Sequence, residues 1–243
     1  MRIGGIIDIS TKDIPNKSAM VIFTVGCNLR CEFCHNKHLL NTSAGQEYSI
    51  SEILSKIERN LLISSVSITG GEPTLQKDLP QLCREIRNLN KYLSLDTNGT
   101  NPDVIQEVIP YLNRVALDIK GPLNKERLRK ITQSDVDISQ IMDTISICNN
   151  AILDFEIRTT YVGKLMKFKD IHEIVEHLRN ISFMGNFVLQ QYQFSEGVGN
   201  DLKDKFEKPH HTTLIDILKP YQQVTLPFKI FIRDDVVGYS KFN

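Results

Sequence analysis

Short apolar runs rich in β-branched residues alternate along the chain with stretches whose apolar residues recur at helical spacing. The runs Met20–Val25, Val66–Thr69, Leu93–Asp96, Val115–Ile119, Phe155–Thr160 and Phe187–Gln191 are nearly continuous in apolar character. That pattern marks strands covered on both faces. Between them, Ile50, Ile53, Leu54, Ile57 and Leu61 form one helical stripe, with a capping box of Ser49 and Glu52 ahead of it. Leu79, Leu82, Ile86 and Leu89 form a second, and a third opens at Asn101-Pro102, where Asn suits the N-cap and Pro the first helical position. Ile138, Ile141, Met142 and Ile145 mark a fourth, and Ile171, Ile174, Val175 and Leu178 a fifth. Leu214, Ile217 and Leu218 suggest a shorter sixth, and Phe228–Ile232 a late strand.

Repeated βα units imply a parallel sheet with right-handed crossovers. Six units fall short of a closed TIM barrel, which leaves a partial barrel or an open doubly wound sheet. The strand ends favour one of these. The cysteine loop follows the first strand and Gly70-Gly71-Glu72-Pro73 the second. Asp96-Thr97-Asn98-Gly99, Asp118-Ile119-Lys120, Arg158-Thr159-Thr160 and Gln190-Gln191-Tyr192-Gln193 end the other four. Polar groups at every strand end converge on one mouth in a barrel, whereas in an open sheet they cluster at the switch point. The expected fold is therefore α/β, a partial (β/α)6 TIM-type barrel with parallel strands. No linker or repeat divides the chain, so residues 1–243 are expected to form a single domain, with a core over about 17–194 and a C-terminal extension over 195–243 that carries no motif.

Charge adds an exclusion. The 243 residues carry 29 basic and 29 acidic side chains, a formal net charge of zero, so no field favours nucleic acid or an anionic membrane. No apolar run approaches the roughly 18 residues that span a bilayer, and the start MRIGGIIDIS lacks the plan of a signal peptide. The expected location is the cytoplasm. Lys203, Lys205 and Lys208 alternate with Asp204 and Glu207 and read as a solvated face, and His210-His211 as an exposed loop.

Three of the five cysteines lie in one short loop, Cys27-Asn28-Leu29-Arg30-Cys31-Glu32-Phe33-Cys34-His35. This is no disulfide framework and points to metal or redox chemistry. The spacing lets one loop wrap three thiolates around one face of a [4Fe–4S] cluster and leaves the fourth iron open. The alternative is a structural zinc site with His35 or His38 as fourth ligand. Cys83 and Cys148 lie alone in helical patterns and read as small buried apolar residues.

Cys27-x-x-x-Cys31-x-x-Cys34, with Phe33 before the last cysteine, resembles the defining motif of the radical S-adenosylmethionine (SAM) superfamily. Gly70-Gly71-Glu72-Pro73 resembles the superfamily's GGEP motif in the matching order. Within it, Cys34-His35-Asn36, Asp96-Thr97-Asn98-Gly99 and Asp118-Ile119-Lys120 are similar to the glycyl-radical-enzyme activases. Asp13-Ile14-Pro15 resembles their Asp-x-Pro segment, with Asn16 in place of the usual glycine. TGGEPTLQ, LDTNGTNP and RTT look most like the longer class of anaerobic ribonucleoside-triphosphate reductase activating proteins, and the resemblance covers roughly residues 3–194.

The resemblance implies one [4Fe–4S] cluster on Cys27, Cys31 and Cys34, with SAM chelating the open iron. Gly70 and Gly71 are expected to let backbone approach the methionyl end, while Glu72 or backbone carbonyls there accept from its amino group. Asp96, Thr97 and Asp118 are expected to hold a monovalent cation beside the SAM carboxylate, which Lys120 could also neutralise. Asn98 is expected at the ribose, Gln193 and Tyr192 at the adenosine, and Arg158 against the SAM carboxylate or Asp118. The implied activity is reductive cleavage of SAM to a 5′-deoxyadenosyl radical that takes hydrogen from a glycine of a partner, anaerobic ribonucleotide reductase. Flavodoxin or ferredoxin is the expected electron donor, and neither nucleic acid nor a membrane is an expected partner. Two rivals stand beside this reading: a small-molecule radical SAM enzyme such as 7-carboxy-7-deazaguanine synthase, and a zinc-binding interaction domain.

Overall fold

Every run read as a strand forms one in the computed structural model, which describes residues 1–195 and 205–243. The chain divides into two compact units, one of residues 1–28, 38–116 and 139–154, the other of residues 29–37, 117–138 and 155–243.

In the first unit, β1 (Arg2–Ser10) lies antiparallel to β2 (Ala19–Thr24) and to the short β3 (Gln46–Glu47). From β2 the order runs in parallel through β4 (Ser65–Gly70) to β5 (Tyr92–Thr97), with Ala19 opposite Ser65 and Ser65 opposite Tyr92. Val21, Ile22, Val66, Ile68, Leu93 and Leu95 are fully buried, as parallel strands covered on both faces require. β1 was not anticipated, because Gly4-Gly5 interrupts its apolar pattern, and its pairing with β2 shifts register there.

Helix α1 (Ile50–Arg59) begins with the expected capping box: the Ser49 amide donates to Glu52 Oε2 at 2.7 Å, and the Glu52 amide to Ser49 Oγ at 3.3 Å. It buries Ile53 and Ile57 but ends before Leu61, which is 88% exposed and so leaves the expected stripe. Helix α2 (Leu79–Asn88) buries Leu79, Leu82, Cys83 and Ile86. Helix α3 (Pro102–Val108) starts where expected, although the Asn101 side chain donates to the Thr74 carbonyl at 3.0 Å instead of capping it.

Strand β6 (Arg114–Asp118) gives its first three residues to the first unit and its last two to the second. Helix α4 (Lys125–Thr132) escaped the sequence reading, since few of its eight residues are apolar; Asn124 Oδ1 caps it by accepting from the Arg127 amide. Helix α5 (Ile138–Asn149) buries Ile141, Ile145 and Cys148. The second unit continues through β7 (Asp154–Tyr161), α6 (Phe168–Asn180), β8 (Asn186–Gln191), α7 (His211–Leu218), β9 (Lys229–Asp234) and β10 (Gly238–Lys241). β7, β8 and β9 are parallel neighbours, and β10 returns antiparallel to β9.

The expectation of an exposed loop at His210-His211 holds only for His210. His211 opens α7 and its Nδ1 lies 2.5 Å from the buried Asp234 carboxylate. Lys205 and Lys208 are exposed and make ion pairs with Glu32 and Asp235, while Lys203 and Asp204 lie outside the described residues. Among the described residues, no helix is long and apolar enough to cross a membrane.

Candidate functional site

In the first unit, β2 and β4 deliver Cys27 and the Gly70-Gly71 turn to the same end of adjacent parallel strands. Gly70 adopts φ +123°, a conformation that an L side chain resists. At Gly71 a Cβ would lie 2.0 Å from the Gly26 carbonyl oxygen, so the two backbones touch directly. Two hydrogen bonds lock that approach: the Gly71 amide donates to the Thr24 carbonyl at 2.9 Å, and the Glu72 amide to the Gly26 carbonyl at 2.7 Å. The turn after β4 is thereby tied to the residue preceding Cys27.

Glu72 is 1% exposed and accepts four hydrogen bonds. Oε1 takes the Thr74 amide (3.2 Å), Thr74 Oγ1 (2.6 Å) and Thr97 Oγ1 (2.8 Å), and Oε2 takes the Asn98 amide (2.7 Å). Burial pushes its carboxyl up, and these donors pull it back without cancelling the effect. In this fold Glu72 braces the glycine turn against the end of β5. Asn98 is also buried; its Nδ2 donates to Asn28 Oδ1 at 2.9 Å and stands 4.0 Å from Cys27 Sγ. Asn28 donates in turn to Thr100 Oγ1 at 2.7 Å. Asn28 and Thr100 were passed over in the sequence, though Asn28 sits inside the cysteine motif, where any polar side chain is a candidate. Asp96 pairs with the buried Arg114 at 3.8 Å, another residue that the sequence did not flag.

The second unit holds Cys31 and Cys34, whose loop is closed by the Cys34 amide donating to the Cys31 carbonyl at 3.1 Å. Phe33 is 5% exposed and acts as the apolar root of this loop. Asp118, at the end of β6, receives Arg158 Nε from β7 at 2.8 Å on Oδ1 and Lys120 Nζ at 3.1 Å on Oδ2. Burial alone would raise the Asp118 carboxyl, but the guanidinium and the ammonium hold it well below the usual carboxylate range. Burial would lower Lys120, and the charges of Asp118 and Cys31 outweigh it and raise the ammonium. The trio of one carboxylate and two cations carries a net positive charge.

His35, expected as a possible zinc ligand, places Nε2 2.6 Å from the Gln193 carbonyl, so that nitrogen is the donor. Its ring stacks on Tyr192, and burial lowers its pKa. The Gln193 side chain donates to Gln191 Oε1 at 3.1 Å. Of the residues singled out in the sequence, Gly70, Gly71, Glu72, Thr97, Asn98 and Cys27 come together in the first unit, and Cys31, Asp118, Lys120 and Arg158 in the second. None of the five cysteines is in a disulfide. Among the described residues, no three His, Cys, Asp or Glu side chains converge as ligands of a single ion do.

These strands and loops carry the arrangement of an α/β enzyme whose chemistry sits at the carboxyl ends of parallel strands. A family model, the radical SAM superfamily, matches residues 21–181, more than half the chain, and the protein belongs to that superfamily. A relative from Methanocaldococcus jannaschii, provisionally named a glycyl-radical enzyme activating enzyme, is 33% identical over 223 residues, covering 89% of this chain and 90% of its own. A second from the same organism, provisionally named a GTP 3′,8-cyclase, is 26% identical over 79% of this chain and 68% of its own. Among solved structures, Streptococcus suis SuiB bound to S-adenosylmethionine is similar with a TM-score of 0.67 and 19% identity. That likeness covers 89% of this chain, which spans half the length of SuiB. The fold is the expected α/β partial barrel of radical SAM enzymes.

Proposed function

We propose that the chain is a glycyl-radical-enzyme activating protein that holds one [4Fe–4S] cluster on Cys27, Cys31 and Cys34 and binds SAM beside it. The observation that carries this reading is the three-cysteine motif inside a radical SAM match, in a chain similar along most of its length to a protein named as an activating enzyme. The donor set fits the cofactors. Three thiols outside any disulfide are the soft ligands an iron–sulfur cluster takes. The glycine turn offers backbone with no Cβ in the way. When bound, the cluster and SAM together supply a one-electron cleavage that yields a hydrogen-abstracting carbon radical.

The chain's own residues bind, orient and exclude water. Asn98 Nδ2 stands 4.0 Å from Cys27 Sγ, where its N–H is placed to donate to the sulfur. The Asp118, Lys120 and Arg158 trio, with its surplus positive charge, suits the SAM carboxylate. The Glu72 brace keeps the Gly70-Gly71 backbone in place for the methionyl amino group. A monovalent cation at Asp96, Thr97 and Asp118 would have to displace Lys120 or Arg158 from the Asp118 carboxylate; SAM affinity that differs between sodium and potassium buffers supports such a site, and equal affinity removes it.

The test is anaerobic incubation of the reconstituted protein with SAM, reduced flavodoxin and an anaerobic ribonucleoside-triphosphate reductase, read by electron paramagnetic resonance. A doublet from a glycyl radical on the reductase supports the proposal. The relative named as a GTP 3′,8-cyclase motivates a second reading, a radical SAM enzyme acting on a small molecule. Consumption of GTP with no radical on the reductase would favour it.

A further inference from the structure

We propose that Lys205 and Phe206, with Tyr192, clasp the cysteine loop of the second unit and position Cys31 and Cys34 for the cluster. This rests on the reading that those cysteines are cluster ligands. Glu32 lies between them in sequence, and both its carboxylate oxygens face Lys205 Nζ, at 3.0 and 2.9 Å. Phe206 is 2% exposed and meets the Tyr192 ring edge-on, with centroids 5.9 Å apart. Tyr192 is fully buried and stacks on the His35 ring at 5.6 Å and 14°. His35, next to Cys34, donates to the Gln193 carbonyl. On the other side, the Arg30 amide, next to Cys31, donates to the Thr132 carbonyl and to Ser134 Oγ, each at 3.0 Å.

The loop is irregular, and the bond from Cys34 to Cys31 ties only its own turn. A loop so built would sample many thiolate separations unless neighbours restrict it. The contacts from Lys205, Phe206 and Tyr192 restrict the Glu32–His35 side, and those from Thr132 and Ser134 restrict the Arg30 side. Within the clasp the apolar part dominates, because an exposed ion pair adds little by itself while a buried aromatic excludes water. Lys205 and Phe206 thus become positioning residues, and the C-terminal extension gains a role in holding the cofactor.

The test uses the full chain, reconstituted anaerobically, and follows cluster absorbance after addition of an iron chelator. Thermal unfolding checks each variant for intact folding. Phe206→Ala should lose its cluster about tenfold faster than wild type, the scale of a lost outer-shell contact. Its midpoint potential should move to more positive values as water reaches the cluster sulfurs. Lys205→Glu should lose the cluster about twofold to threefold faster, and adding Glu32→Lys should restore the wild-type rate. That rescue stands even if Phe206→Ala fails to fold, since the charge pair is on the surface. A loaded wild type whose folded variants lose iron at its own rate, with no effect of the charge reversal, overturns this inference alone. A wild-type chain that takes up no iron overturns the functional reading and this inference with it.

Discussion

Asp118 shows how much one carboxylate governs at the end of β6. Arg158, 5% exposed, has it as its charge partner at 2.8 Å. Asp118→Asn removes this counter-charge from the buried guanidinium. The expected loss is about 1–3 kcal/mol of stability at pH 7, measured by urea unfolding. The pH dependence has a definite sign. The folded-state pKa of Asp118 is depressed below its unfolded value of about 3.9. Its contribution is therefore present above about pH 4 and lost as pH falls further, while the unfolded chain takes up the proton first. The gap between wild type and variant should narrow on acidification; a constant gap down to pH 3 would remove Asp118 as its source. Cysteine reactivity separates along similar lines. Burial pushes Cys83 and Cys148 up to about 12, whereas Cys27 and Cys34 are partly exposed. In the apoprotein at pH 8, a thiol reagent should label Cys27 and Cys34 and reach Cys83 and Cys148 only after unfolding.

At the level of the element, the glycine turn after β4 and the cap of α1 make opposite predictions. Gly71→Ala forces a Cβ to 2.0 Å from the Gly26 carbonyl, in backbone that cannot swing aside like a side chain. The turn must shift, at a cost of about 1–3 kcal/mol, and SAM affinity measured by calorimetry should fall with it. Ser49→Ala removes the capping box of α1, an element that carries none of the proposed site residues. It should cost about 1 kcal/mol in thermal unfolding and leave iron content unchanged. Iron lost from Ser49→Ala in proportion to its stability would mean that cluster retention reports global folding. The elements that were readable share a property: their apolar residues are local and periodic. β1 and α4 lack it. β1 is broken by Gly4-Gly5, and α4 shows little beyond Leu128 and Ile131 to the core, too little for a stripe to stand out among its charges.

For the molecule as a whole, the five cysteines set the iron count. Only Cys83 and Cys148 lie outside the loop, and both are buried in helices. Anaerobic analysis should find about four irons and four sulfides per chain, and iron near eight would contradict a single cluster. The α/β class, the parallel strands and the cysteine and glycine motifs were all legible in the order of residues. Buried parallel strands must be apolar throughout, and a loop that presents three thiolates must space them along a few residues. The partners of those motifs were not legible, because they lie far away along the chain. Glu72 finds Thr97 and Asn98 25 and 26 residues on, Asp118 meets Arg158 40 residues on, and Glu32 meets Lys205 173 residues on. A side chain carries its charge and donors in the sequence, but which of them it satisfies depends on where folding places the other groups. For that reason Glu72, legible as part of a motif, acquires its role as a brace only in three dimensions, and a C-terminal segment without a motif comes to hold the cysteine loop.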